Sequence, residues 1–136
     1  MKRLMGITYK DWVVKFGLDP KKHYHSEDSK RGFSFFIETN EFLFIDEVLA
    51  SINIYNFPAA SNIPGFVFPV ETGFEKLLAI LAAEGIDWEL YQEYSYEHWV
   101  VIKLLQQGLL YEFQFDFDDH TLKLQRVRLE RDRDRI

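Results

Sequence analysis

The run from Leu109 to Phe117 alternates without a break. Tyr111, Phe113, Phe115 and Phe117 fall on one side of an extended strand, and Leu110, Glu112, Gln114 and Asp116 fall on the other. A period of two with one aromatic side does not fit a helix and demands a sheet. Turn residues bound the run, with Gln106-Gln107-Gly108 before it and Asp118-Asp119-His120 after it. Connections this short join only antiparallel neighbours, because a parallel crossover needs a dozen residues or more. The same reading extends to a meander of four strands: Asp87 to Gln92, Trp99 to Leu105, Leu109 to Phe117 and Thr121 to Glu130. Glu112, Gln114 and Asp116 then mark a solvated face. In the last strand Leu122 and Leu124 are out of phase with Val127 and Leu129, which predicts a bulge near Gln125.

The first half also reads as sheet. Phe33 to Glu38 is a strand, Thr39-Asn40 a turn, and Glu41 to Tyr55 a long β-rich run broken at Asp46-Glu47 by a bulge or a tight turn. Pro58, Pro64, Gly65 and Pro69 make Asn56 to Val70 a loop. Thr72-Gly73-Phe74-Glu75 has the form of a capping box. Phe74, Leu77, Leu78 and Leu81 follow at helical spacing and Gly85 stops them, so a helix is predicted over about 72–84. Thr8 and Asp11 start a short N-terminal helix with Trp12, Val13 and Phe16 on its apolar face. Leu18 to Gly32 is polar and basic and reads as a loop, which leaves that helix loosely packed. Residues 131–136 read as a frayed tail. The expectation is one α+β domain over 1–136, with a curved antiparallel sheet of about five to seven strands, one main helix packed on it and a short N-terminal helix.

Charge is distributed unevenly. Between Phe33 and His120 there are fifteen Asp or Glu and two Lys or Arg, a net of −13 in a chain whose total is −6. An acidic body of this kind repels phosphate and attracts basic partners. The aromatic stripe of the third meander strand could suit base stacking, but the −13 segment offers no basic groove beside it, so no nucleic-acid partner is expected and the stripe reads as core. With no cysteine, disulfides and thiolate-bound zinc are excluded. Thr8-Tyr9-Lys10-Asp11 interrupts any signal-like apolar stretch, and no run reaches the ~18 residues of a membrane helix. The expectation is a soluble cytoplasmic protein without membrane contact.

Three clusters could carry chemistry. His23-Tyr24-His25, with Glu27 and Asp28, has a metal-ligand spacing, and a solvated polar loop explains it as well. Asp116, Asp118, Asp119 and His120 could bind a cation, but no glycine follows in the calcium-loop position and Asp is a common turn residue. Glu89, Glu93 and Glu97 could be paired for acid–base work, but nothing fixes their separation. Phosphate-binding, serine-nucleophile and zincin motifs are all missing. No catalytic residue, metal or cofactor is assigned. Tyr91-Gln92-Glu93-Tyr94-Ser95-Tyr96-Glu97-His98-Trp99 is the most suggestive segment, since Tyr and Trp are frequent binding hot spots and carboxylates complement a basic partner.

From Gly32 to about Glu130 the chain has a strand pair, the Ile63-Pro64-Gly65-Phe66 loop, the Thr72 to Glu84 helix and then a meander. In this layout, and in being acidic and cysteine-free, it resembles the bacterial immunity proteins that neutralise toxin domains in contact-dependent inhibition and related systems. The resemblance carries no diagnostic motif, and the basic ends depart from a uniformly acidic inhibitor. It implies a non-enzymatic inhibitor that docks on a basic toxin domain, often a nuclease. The expected partner face comprises Tyr91, Glu93, Tyr94, Tyr96 and Glu97, with Asp116, Asp118 and Asp119 as a second acidic group at the same end of the sheet. The alternative expectation is a small-ligand-binding or enzymatic domain with a pocket between sheet and helix.

Overall fold

Each part of the chain builds a meander in which strands adjacent in sequence are adjacent in space. The computed structural model of the protein describes residues 5–19, 24–27, 32–63 and 66–130, with 24–27 described by backbone alone. Two compact units result, Met1–Phe66 with Leu129–Ile136, and Val67–Arg128. The class is the α+β one that the alternation predicts, with antiparallel strands, one main helix and a short N-terminal helix. His23 and Asp28, the side chains of His25 and Glu27, and the 131–136 tail lie outside the described residues.

In the first unit, α1 (Tyr9–Phe16) precedes β1 (Tyr24–Glu27), β2 (Gly32–Ile37), β3 (Asn40–Ile45) and β4 (Val48–Ile54), in the order β1-β2-β3-β4. β1 corrects the reading of Leu18 to Gly32 as loop throughout: a short polar stretch pairs with β2, Tyr24 opposite Phe36. Thr8 caps α1 as predicted, accepting the Asp11 N–H at 3.2 Å. Gly17 ends the helix at φ 62. The helix is not loosely packed. Trp12 is fully buried, with ring centroids of Phe35, Phe42 and Phe44 at 4.9, 5.0 and 5.1 Å. Gly6 and Leu49, and Ile7 and Leu49, share backbone hydrogen bonds that tie the segment before the helix to β4. Tight packing comes from one tryptophan inserted among three phenylalanines, which helix periodicity alone does not reveal.

Among the described residues of this unit two hairpin turns each use two residues with positive φ, Glu38-Thr39 (50° and 68°) and Asp46-Glu47 (52° and 67°). This backbone matches strand twist. Asp46-Glu47 is thus the tight turn, and the register irregularity of β3 and β4 lies instead at Leu43/Phe44. The first turn falls one residue earlier than predicted because Asn40 is needed inside: its Oδ1 accepts the N–H groups of Tyr55 and Asn56 at 2.9 and 2.8 Å.

The second unit holds α2 (Phe74–Ala83), β5 (Trp88–Leu90), β6 (Trp99–Leu104), β7 (Leu109–Asp116) and β8 (Thr121–Glu130) as far as Arg128, in the order β5-β6-β7-β8. Leu77 and Leu81 are fully buried, and Phe74 meets Phe113 edge to face at 5.0 Å. The Tyr111 hydroxyl donates to the Pro69 carbonyl at 2.8 Å, and burial pushes its pKa up. Gly85 ends α2 at φ 67, with the Ile86 N–H returning to Leu81 O at 2.9 Å. The predicted Thr72 cap does not form. Gly73 is the N-cap, without a side-chain cap. Leu124 N–H donates to Thr72 O at 2.9 Å and Gly73 bridges Lys123, so residues 72–73 run alongside β8 and are drawn away from the capping position. The first meander strand also shortens to Trp88–Leu90, because the chain turns from Tyr91 onward.

Candidate functional site

The segment between β5 and β6 folds back on the sheet. Tyr91 N–H donates to Val101 O at 2.8 Å and continues the β5 pairing. Ser95 Oγ donates to Tyr91 O and accepts the Val101 N–H, both at 2.9 Å. Tyr96 and Trp99 exchange two backbone hydrogen bonds, at 3.1 and 2.7 Å, and Glu97 between them takes φ 43. The connection is therefore a fastened turn with a small hairpin at its end, a platform that can hold side chains in place.

Glu93, Tyr94, Tyr96 and Trp99 from this platform, with Glu112, Arg126 and Arg128, line a cleft of about 410 Å³. Glu112 is 6% exposed, which corrects the expectation of a wet face at that position. Arg126 grips it with two hydrogen bonds, Nε to Oε2 at 2.6 Å and a terminal N–H to Oε1 at 2.8 Å. Arg128 Nε lies 3.8 Å from Oε2, and its guanidinium sits over the Tyr94 ring at 4.8 Å. A carboxylate is buried only when paired, and two guanidiniums supply the pairing. Tyr91 packs edge-on against Tyr94 at 4.9 Å and donates to Glu93 at 3.2 Å.

Alternation puts Phe115 on the other face of β7 from Glu112. There a groove of about 720 Å³ is floored by Phe74, Val100, Phe115 and Leu122. Glu71, Glu75, Lys76, Glu97, His98 and His120 complete its lining together with Thr72, Gly73 and Thr121. His98 meets the exposed Phe117 edge-on at 4.7 Å.

The hairpin after β7 is organised by one lysine. Lys123 Nζ lies 3.0 Å from Asp116 and 2.6 Å from Asp119. Asp116 Oδ1 accepts the Asp118 N–H at 2.9 Å, and Thr121 Oγ1 donates to Asp119 at 2.6 Å. The hydrogen bonds from Lys123 hold both carboxyls below the ordinary aspartate range, and the two carboxylates, Asp119 first, push the ammonium up to about 12. The carboxylates thus turn onto an internal cation. Among the described residues no three His, Asp or Glu are grouped to hold a metal ion.

Comparison with protein families, curated proteins and solved structures gives no match. Glu93, Tyr94 and Tyr96 come together in the cleft with Tyr91 behind them, whereas Glu97 lines the groove. Phe115 N–H donates to His98 O at 2.9 Å, so the Tyr91 to His98 platform and the Asp118 hairpin share one end of the meander. Glu112, Arg126 and Arg128 are the functional candidates that sequence reasoning missed. A signal was present: Glu112 and Arg126 stand seven residues before and seven after Asp119, as cross-strand partners about that turn would.

Proposed function

We propose that this chain is a non-enzymatic inhibitor of the immunity type, which binds and neutralises a basic toxin domain. A nuclease fits best, since its nucleic-acid groove must be basic. The observation that carries this reading is the shared end of the β5–β8 meander. Tyr96 and Phe117 stand 64% and 60% exposed there, in the connections that carry Glu93, Glu97 and Asp118. Exposed aromatic rings framed by carboxylates suit a surface that meets lysine and arginine. The fastened platform lowers the ordering cost of binding. The acidic segment adds steering, so association is fast and slows as salt is raised.

The test is co-purification with the product of the adjacent upstream gene, followed by binding kinetics. Tyr94→Ala or Tyr96→Ala should weaken the complex by about 2 kcal/mol, mostly through faster dissociation. Reversing Glu93 and Glu97 together should slow association and flatten its salt dependence. Parent-like kinetics in all three variants at physiological salt would remove this face from the interface. A neighbour without a toxin domain, and expression that protects cells from nothing, would remove the reading itself. The second reading, a small-ligand or enzymatic domain, is favoured by the groove beside α2; a large thermal shift with a metabolite would support it.

A further inference from the structure

We infer that the groove beside α2 is a docking slot for a basic, partly apolar loop of the protein partner, separate from the Tyr94–Arg128 cleft. The inference rests on the binding-protein reading and assigns part of its interface.

The groove combines two surfaces that such a loop needs. Its floor is apolar: Phe74 from α2, Val100 from β6, Phe115 from β7 and Leu122 from β8. Among the described residues its remaining lining includes three carboxylates, Glu71, Glu75 and Glu97, against one cation, Lys76. With histidine counted as neutral, the excess is two negative charges. Lysine and arginine carry an aliphatic stem and a cationic head, so the stem or an adjacent apolar side chain covers the floor while the head meets the carboxylates. An acidic ligand meets an excess of like charge. A volume of about 720 Å³ exceeds what one side chain fills and suits a short stretch of chain. The floor residues come from four elements of one unit, and Phe74 is braced against the buried Phe113, so the slot is formed before a partner arrives.

The Tyr96–Trp99 hairpin turns Glu97 into this groove and away from Glu93. The two belong to one connection, yet one lines the cleft and the other the groove. A partner that approaches the shared end of the meander meets tyrosines on one side and the slot on the other.

The test uses the full chain and a capped tripeptide, acetyl-Arg-Phe-Lys-amide, titrated into isotopically labelled protein and followed by amide chemical shifts. The expected result is a saturable shift at Phe74, Val100, Phe115 and Leu122, with acetyl-Glu-Phe-Glu-amide causing none. Glu97→Lys, on the exposed hairpin, should weaken binding about fivefold, and Glu75→Gln should weaken it to a smaller extent. Circular dichroism checks that both variants stay folded. Equal shifts from both peptides, shifts confined to the Tyr94–Arg128 cleft, or parent-like binding by Glu97→Lys and Glu75→Gln together would overturn the assignment. Free arginine binding as tightly as the tripeptide would make the groove a small-ligand site and also overturn it. The outcome is separable from the partner test, because a silent groove leaves the tyrosine platform standing, and a failed pull-down leaves the tripeptide result intact.

Discussion

Removing the charge from Glu112 tests how the cleft is held. Glu112→Gln keeps the shape of the side chain and leaves Arg126 and Arg128 facing a neutral amide. Breaking a fully buried pair costs about 3 to 5 kcal/mol, whereas an exposed pair is worth about 0 to 1. Here the carboxylate side chain is 8% exposed, but the arginines are 29% and 16% exposed and keep some water. The cost therefore falls between those limits, at about 2 to 3 kcal/mol. Urea unfolding followed by circular dichroism and by tryptophan fluorescence measures it, and coincident curves check that one transition is being read. Replacing Glu112, Arg126 and Arg128 together by Met should bring stability back to within about 1 kcal/mol of the parent, because no uncompensated charge remains. A loss below about 1 kcal/mol in Glu112→Gln, the level of a surface pair, would refute the argument that burial makes this triad matter.

Other outcomes follow from the same geometry. Trp12→Ala should destabilise the protein by about 3 to 5 kcal/mol in urea unfolding, since it empties a fully enclosed site between three phenylalanines; a cost under about 1 kcal/mol would mean that α1 is dispensable to the fold. The carboxyls of Asp116 and Asp119 should titrate below 3.8, the ordinary aspartate value. Their contribution to stability is thus complete above that pH and is lost as pH falls through the lowered midpoints. In Lys123→Met both midpoints should move back up, as read by carboxyl carbon shifts; unchanged midpoints would show that turn hydrogen bonds alone depress them.

Strand order was legible because alternation and turn residues recur along the chain. Thr121 to Glu130 stands where the pattern puts it, and β7 ends at Asp116, one residue short of the predicted Phe117. The misses have local causes. β1 is too short and polar to announce itself, and is defined by its pairing with β2. The cap of α2 fails at Thr72 because residues 72–73 pair with β8, and a tertiary pairing outweighs a local signal. The solvated face expected at Glu112 is covered by arginines from the next strand. At the site, the sequence showed tyrosines and carboxylates but not their division. Whether Glu97 turns with Glu93 or away from it depends on the Tyr96–Trp99 hairpin, which no spacing rule encodes. Nor did charge counting by segment reveal Arg126 and Arg128, since strand pairing brings basic residues of β8 into the acidic meander.

The Glu38-Thr39 turn governs where this chain tolerates being lengthened. Asn56 Nδ2 donates to its Glu38 carbonyl at 2.9 Å, and Asn62 Nδ2 donates to the Glu38 carboxylate at 2.9 Å. The proline-rich loop is thus buttoned to that hairpin. An inserted tag there would unfasten two segments at once. At Gln106-Gln107 the Gly108 N–H returns to Leu104 O within its own hairpin, and Gln106 is exposed. An epitope or fluorophore peptide placed at Gln106 would lengthen one turn at the end of β6 and β7 away from the tyrosine platform, and would leave that platform clear.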